Sequence, residues 1–193
     1  ADRTGRTNID FSSSNEMTLM ARFKLTGHSG YDGIISLKTA NGACLYRLMV
    51  DYAMRPFFDV GGGDRTVDYR FELNRWYHYA LSIKNREAVV YIDGEEVYRG
   101  ADNAPASLRD VNQIFIGVGE SINSHPTEGD FSEVCVYKSA LSSSDISYIS
   151  SNGDPRNSNG LVRYYPFNGN ANDEEWAMPV LRLSPNISLT QIA

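Results

Sequence analysis

The run Glu128-Gly129-Asp130-Phe131-Ser132-Glu133 places three carboxyl groups within six positions. Two such groups standing ~5–5.5 Å apart would suit a retaining glycosidase, one as nucleophile and one as general acid. Pro126 lies two residues before Glu128, and Gly129 fills a slot where a buried strand would carry an apolar side chain. The run therefore reads as a loop through Glu128 and Asp130 that enters a strand at Phe131. No catalytic residue is assigned, and a glycoside hydrolase using Glu128 and Glu133 stays as the lesser reading.

Carboxylates also bind hard cations. Calcium takes six to eight oxygens from carboxylates and carbonyls, so loops rich in Asp and Asn are its natural sites. Asp130 with carbonyls around residues 120–123 is one candidate, and Asp173 with Asn170 and Asn172 is another. The bland alternative is turn residues bonding their own backbone.

A sugar site needs an aromatic platform beside planar polar partners. Tyr31-Asp32, Asp51-Tyr52 with Arg55, and Asp64-Arg65 with Tyr69 supply these types in loops or near strand ends, where rigid scaffolds present their binding residues. Gly61 to Gly63 would let a ligand approach the backbone closely, or would form a plain turn. His28, His78 and His125 show no i, i+4 pairing with one another and no cysteine companions, which argues against zinc. No Ser, His and acid arrangement stands out.

These residues must be held by strands. Met17 to Leu25 alternates, with Met17, Leu19, Ala21, Phe23 and Leu25 on one face. Strands follow at Gly33–Leu37, Ala43–Val50, Phe57–Val60, Thr66–Phe71, Trp76–Ile83, Ala88–Ile92, Glu96–Tyr98, Gln113–Val118, Phe131–Tyr137, Leu161–Phe167 and Val180–Leu183. Asp93-Gly94 between alternating residues signals a hairpin. Ser142 to Ser144 caps a short helix near residues 142–150, which Asn152-Gly153-Asp154-Pro155 stops. The pattern predicts an all-β, two-sheet antiparallel jelly-roll sandwich with one short helix.

At 193 residues the chain suits one domain over residues 1–193, since a tail of about forty residues cannot bury a core alone. The net charge of −6 and singly scattered arginines exclude a phosphate-tracking groove, so nucleic acid is not expected as a partner. No apolar run approaches a membrane span. Cys44 and Cys135, each flanked by apolar residues, are expected as buried core residues, with one disulfide as the alternative.

Three stretches carry a family resemblance: Trp76-Tyr77-His78-Tyr79-Ala80-Leu81, Val90-Tyr91-Ile92-Asp93-Gly94, and Phe115-Ile116-Gly117 followed by Gly129 to Tyr137 and Ala140-Leu141-Ser142. In order and spacing they resemble the laminin-G-like domains of the concanavalin A-like lectin and glucanase superfamily, over about residues 11 to 150. Gly160 to Asp173 looks like a strand that often opens such a domain. Here it either closes the fold, as in pentraxins, or begins another domain. The resemblance implies that Trp76 and Tyr91 fill the core and that Ala140-Leu141 docks the helix. Ser132 stands where the family commonly has Asp, which puts a family calcium site in doubt. Glucanases of the superfamily carry the E-x-D-x-x-E pattern on a wholly buried strand, unlike the run here.

The resemblance and the Tyr, Asp and Arg loops together imply a non-catalytic module outside the cytosol, secreted or at a cell surface. It would bind a glycan or glycoconjugate through edge loops, with calcium as a possible cofactor. The alternative is an adhesive module for an extracellular protein. Domains of this type also serve as accessory parts of sialidases and surface glycan-capture proteins.

Overall fold

Alternating burial along the first strand sets the architecture. In the computed structural model, which describes residues 15–39, 41, 44–60, 63–101, 111–119, 121, 123–167, 181–183 and 187–189, Met17, Leu19, Ala21, Phe23 and Leu25 all enter the main core. They lie on β1 (Glu16–Leu25), as the two-residue period requires.

The chain then switches repeatedly between two sheets. β2 (Asp32–Thr39), β3 (Cys44–Val50), β4 (Pro56–Val60) and β5 (Gly63–Thr66) form a meander in the second sheet. β6 (Trp76–Lys84), β7 (Glu87–Ile92) and β8 (Glu95–Ala101) return to the first. β9 (Val111–Ile116) crosses again, and β10 (Gly129–Tyr137) and β11 (Leu161–Tyr165) cross back. Sheet one runs β11-β10-β1-β6-β7-β8 and sheet two β9-β2-β3-β4-β5, with antiparallel pairing throughout these orders. Two short strands add parallel partners, β12 (Leu181–Leu183) beside β9 and β13 (Ile187–Leu189) beside β10. The jelly-roll sandwich follows.

The core lies between the sheets. Phe23 pairs across the ladder with Tyr77 and Phe131, and Phe71 fits between, 4.9 Å from Tyr77 and 5.4 Å from Phe23. Edge-to-face packing of this kind adds to the area each ring buries.

A second apolar layer covers the outer side of sheet one. Met20, Ala80, Val89, Tyr91, Cys135 and Tyr137 meet Leu141, Ile146 and Ile149 there. The last two belong to α1 (Ser143–Ser150) and lie three residues apart, on one helical face. Ser142 Oγ accepts from the Asp145 N–H and the Asp145 carboxylate accepts from the Ser142 N–H, a complete capping box. At the other end Arg22 donates to the carbonyls of Ile149 and Ser150, at 3.2 and 2.8 Å. A cation there complements the helix dipole. Asp93 and Gly94, with φ of 52° and 85°, make the expected tight hairpin between β7 and β8.

Three expectations change. Thr66–Phe71 is not a strand beyond Thr66, because the backbone leaves the ladder and folds over the β3–β4 turn. Val67 N–H donates to the Pro56 carbonyl and Phe71 N–H to that of Met54. Trp76 and Tyr91 do not fill the sandwich core: both point to the outer face, where Trp76 is half-buried beneath Lys24 and Tyr91 lies in the layer under α1. Tyr77 and Tyr79 take the core positions. Gly129 and Asp130 already belong to β10 and not to a loop, since they pair with Leu25 and Lys24 of β1.

Cys135 is a buried free thiol, so it is not bridged to Cys44. No helix among the described residues is long and apolar enough to cross a membrane.

Candidate functional site

One end of sheet two gathers most of the loop residues with binding chemistry. The turn from β3 to β4 is organised by Asp51, whose carboxylate accepts from the N–H groups of Ala53 (2.8 Å) and Arg55 (2.9 Å). The same carboxylate takes the Arg55 side chain at 2.8–2.9 Å. Burial pushes the Asp51 carboxyl upward, but its bonds to Arg55 and Ala53 outweigh that and hold it below the usual range. The turn forces Met54 to φ 62°, a conformation a long side chain adopts only where its surroundings dictate it. Tyr52 is left at the tip, 67% exposed.

The β9–β10 loop supplies the facing wall. Gly33 N–H donates to the His125 carbonyl (2.9 Å), Thr127 Oγ1 donates to the Gly33 carbonyl (2.7 Å), and Gly117 N–H donates to that of Ile34 (3.1 Å). The backbone at Val118 and Gly119 presses so closely on Gly33 that a Cβ there would overlap it. That close approach is why Gly33 lacks a side chain. His125, at φ 50°, is thereby aimed at Tyr31.

Four rings result. Tyr31 stands edge-on to Tyr52, Phe57 and His125, with centroids 5.9, 5.5 and 5.6 Å away. Beneath them, His28 Nδ1 lies 2.5 Å from Asp32 Oδ2, and His28 Nε2 is buried without a partner. Burial raises the Asp32 carboxyl, His28 pulls it back down, Glu128 raises it and His125 lowers it.

Below Phe57 the outer face of sheet two becomes ionic. Register places Phe115, Ser36, Arg47, Asp59 and Asp64 in one row across five strands. Arg47 binds Asp59 at 2.7 Å and Asp64 at 3.3 Å. Asp59 follows Phe57 by two residues, so the rings and the ions form one strip with a step of roughly 7 Å.

Of the residues singled out in the sequence, Tyr31, Asp32, Asp51, Tyr52 and Arg55 come together at this end. Asp64 joins through the ionic row. Tyr69 belongs to the segment folded over the β3–β4 turn, but its ring faces Phe71 and Tyr77, at 5.6 and 6.3 Å. Sequence reasoning missed His28, Phe57 and His125. The spacing of His28 and Asp32 was a usable signal, whereas Phe57 and His125 arrive only through pairing and loop docking.

Asp130 does not fit a calcium site on its own. The Lys24 ammonium sits 2.7 Å from its carboxylate, where a cation would bind. Among the described residues no three acidic, His or Cys side chains converge on a metal position. Asp173, Asn170 and Asn172, like Gly61 and Gly62, lie outside the described residues.

Glu128 and Glu133 meet different partners. Glu128 is exposed beside Gly27. Glu133 lies beside Arg22, 3.7 Å from its guanidinium. Burial pushes the Glu133 carboxyl up to about 6, against the pull of Arg22 and with help from Asp154.

Residues 4–147 match the family model described as the concanavalin A-like lectin/glucanases superfamily. The chain belongs to that superfamily. A comparison with curated proteins gives no match. Among solved structures, a carbohydrate-binding protein from Bacteroides ovatus superimposes with a TM-score of 0.63 at 21% identity, covering 80% of this chain and 46% of that one. The heptameric SAP-like pentraxin from Limulus polyphemus gives 0.60 at 19% identity, covering 74% and 73%. The CBM40 of the Ruminococcus gnavus IT-sialidase, bound to alpha2,3 sialyllactose, gives 0.60 at 14% identity, covering 71% and 83%. At these identities the likeness is one of fold. The chain spans less than half the length of the Bacteroides protein.

Proposed function

We propose that this superfamily member is a non-catalytic carbohydrate-recognition module, working outside the cytosol as a secreted or surface-attached unit. The observation that carries the reading is the Tyr31–Tyr52 pair at the end of sheet two. An exposed ring held in place by a second ring offers an apolar face to a sugar at little entropic cost. The partly exposed Arg55 guanidinium beside it, held by Asp51, and the exposed Asp64 carboxylate of the Arg47 row supply the planar hydrogen-bonding partners that saccharide hydroxyls need. The likeness to the Bacteroides carbohydrate-binding protein and to the sialyllactose-bound Ruminococcus CBM40 supports the same class of ligand.

Residues 1–193 act in this reading as one module, supported by the pairing of β11, β12 and β13 with strands of both sheets. The ligand is engaged without turnover in this reading, supported by the pairing of Glu133 with Arg22 and of Asp130 with Lys24, which engages two of the three carboxylates of that run.

A broad glycan array, run with and without chelator, tests the proposal. Binding that persists in chelator and falls away in Tyr52→Ala is the expected result. No binding in either condition would overturn it. Binding lost on chelation alone would instead give calcium a part in recognition.

A further inference from the structure

The outer face of sheet one carries a concavity, remote from the Tyr31–Tyr52 end. It has a volume of about 310 Å³ and lies between the β6–β8 ladder and the segment that leads into α1. Register explains its floor. Arg99, Val89, Ser82 and Thr18 form one row across β8, β7, β6 and β1, and Tyr91 lies on the same face two residues from Val89. Leu141 to Ser143 form the opposite wall.

The charges in this groove decide what it would accept. Arg99 bridges Glu87 and Glu96, each at 2.6 Å, and also faces the Tyr91 phenol. Lys84 is paired with Glu16 at 3.0 Å. At the start of α1 the capping box engages the Ser142 and Asp145 N–H groups and sets the Asp145 carboxylate against that end. Both cations are thus matched by carboxylates and the Asp145 carboxylate already stands at the helix end, so an anion would find no spare positive charge. A neutral polyol is suited differently. Its hydroxyls both donate to Glu87 and accept from Arg99, above a floor of Val89 and Tyr91 that is only 7% and 4% exposed. The Arg99 pairs are about half exposed, so rearranging them around a ligand costs little. The volume lies at the lower end of the range for small-molecule sites.

We infer that the groove bounded by Ser82, Glu87, Val89, Tyr91, Arg99 and Ser143 is a second binding site, for a neutral mono- or disaccharide. Two sugar sites on different sheets would let one copy of the chain engage two branches of a glycan or two glycans on a surface, raising avidity without new contacts at either site.

The test is a two-dimensional amide NMR titration of the full chain with lactose, maltose, N-acetylglucosamine and sialyllactose in turn. Saturable shifts are expected at Val89, Arg99 and Ser143 with at least one neutral sugar, and sialyllactose should bind no more tightly than lactose. Ser143→Trp, which fills the mouth from an exposed position, should raise the dissociation constant about tenfold or more. Arg99→Ala, also exposed, should act in the same direction and decides the matter if the tryptophan variant fails to fold. Shifts confined to Tyr31, Tyr52 and His125 would overturn the groove while leaving the first site standing. Groove shifts that survive both substitutions, or no shift anywhere in the groove, would overturn it as well.

Discussion

Tyr31 meets Tyr52 edge-on, with centroids 5.9 Å apart and ring planes at 73°. One ring is half-buried against Phe57 and His125, and the other projects into solvent from a turn pinned by Asp51. A ligand meeting Tyr52 therefore meets a surface already ordered from beneath.

Tyr52→Ala should separate binding from stability. Its ring is exposed, so unfolding free energy should fall by no more than about 1 kcal/mol, the worth of the edge-on contact. Affinity for a glycan chosen from the array should drop about tenfold or more, read by calorimetry.

Asp51 holds the turn that presents Tyr52. Asp51→Ala frees two backbone N–H groups and the Arg55 side chain, and should cost about 2 kcal/mol by urea denaturation. Asp51→Asn keeps an acceptor for the backbone and should cost less. Because the native carboxyl lies below its usual value, its stabilisation is complete above the ordinary carboxylate range and fades as pH falls through the lowered native value. The gap between wild type and Asp51→Ala should narrow in acid accordingly.

Gly33→Ala should loosen the wall that carries His125. Its methyl group would overlap the Val118 and Gly119 backbone, which cannot swing aside as a side chain can. A loss of about 3 kcal/mol is expected. Amide exchange should rise across residues 117–127 before it rises in β6 or β7.

Arg22 has His78 on one side and Glu133 on the other in the outer-face ladder of sheet one, and the two titrate in opposite senses. Burial holds Glu133 up near 6, so its contribution is fully present below the ordinary glutamate value and is lost as pH rises through about 6. Relative to Glu133→Gln, wild type should lose roughly 2 kcal/mol across that window. Burial, seconded by Arg22, pushes His78 down to about 3, and neither ring nitrogen has a partner. Its contribution is present above the ordinary histidine value and is lost as pH falls from there toward 3. His78→Leu should abolish that acid-side loss, measured by urea denaturation at a series of pH values.

Local rules made much of the framework legible. The period-two burial of Met17 to Leu25, the Asp93-Gly94 hairpin and the Ser142 cap depend on neighbours a few residues away, and each stands where the sequence puts it. Trp76 and Tyr91 went to the outer face because alternation states that two faces exist and leaves open which one is covered. Both faces of sheet one are covered, one by sheet two and one by α1, so an aromatic residue is at home on either.

From its order of strands, turns and caps alone, this chain determined a two-sheet sandwich with one helix, because those signals are short-range and additive. It also marked Tyr31, Asp32, Asp51, Tyr52 and Arg55 as residues of the right chemistry. Only tertiary pairing decided that they meet, that Phe57 and His125 join them, and that Asp130 answers to Lys24. Those relationships cross between strands far apart in sequence, where contact is set by register and by loop docking over Gly33, and no local pattern encodes either.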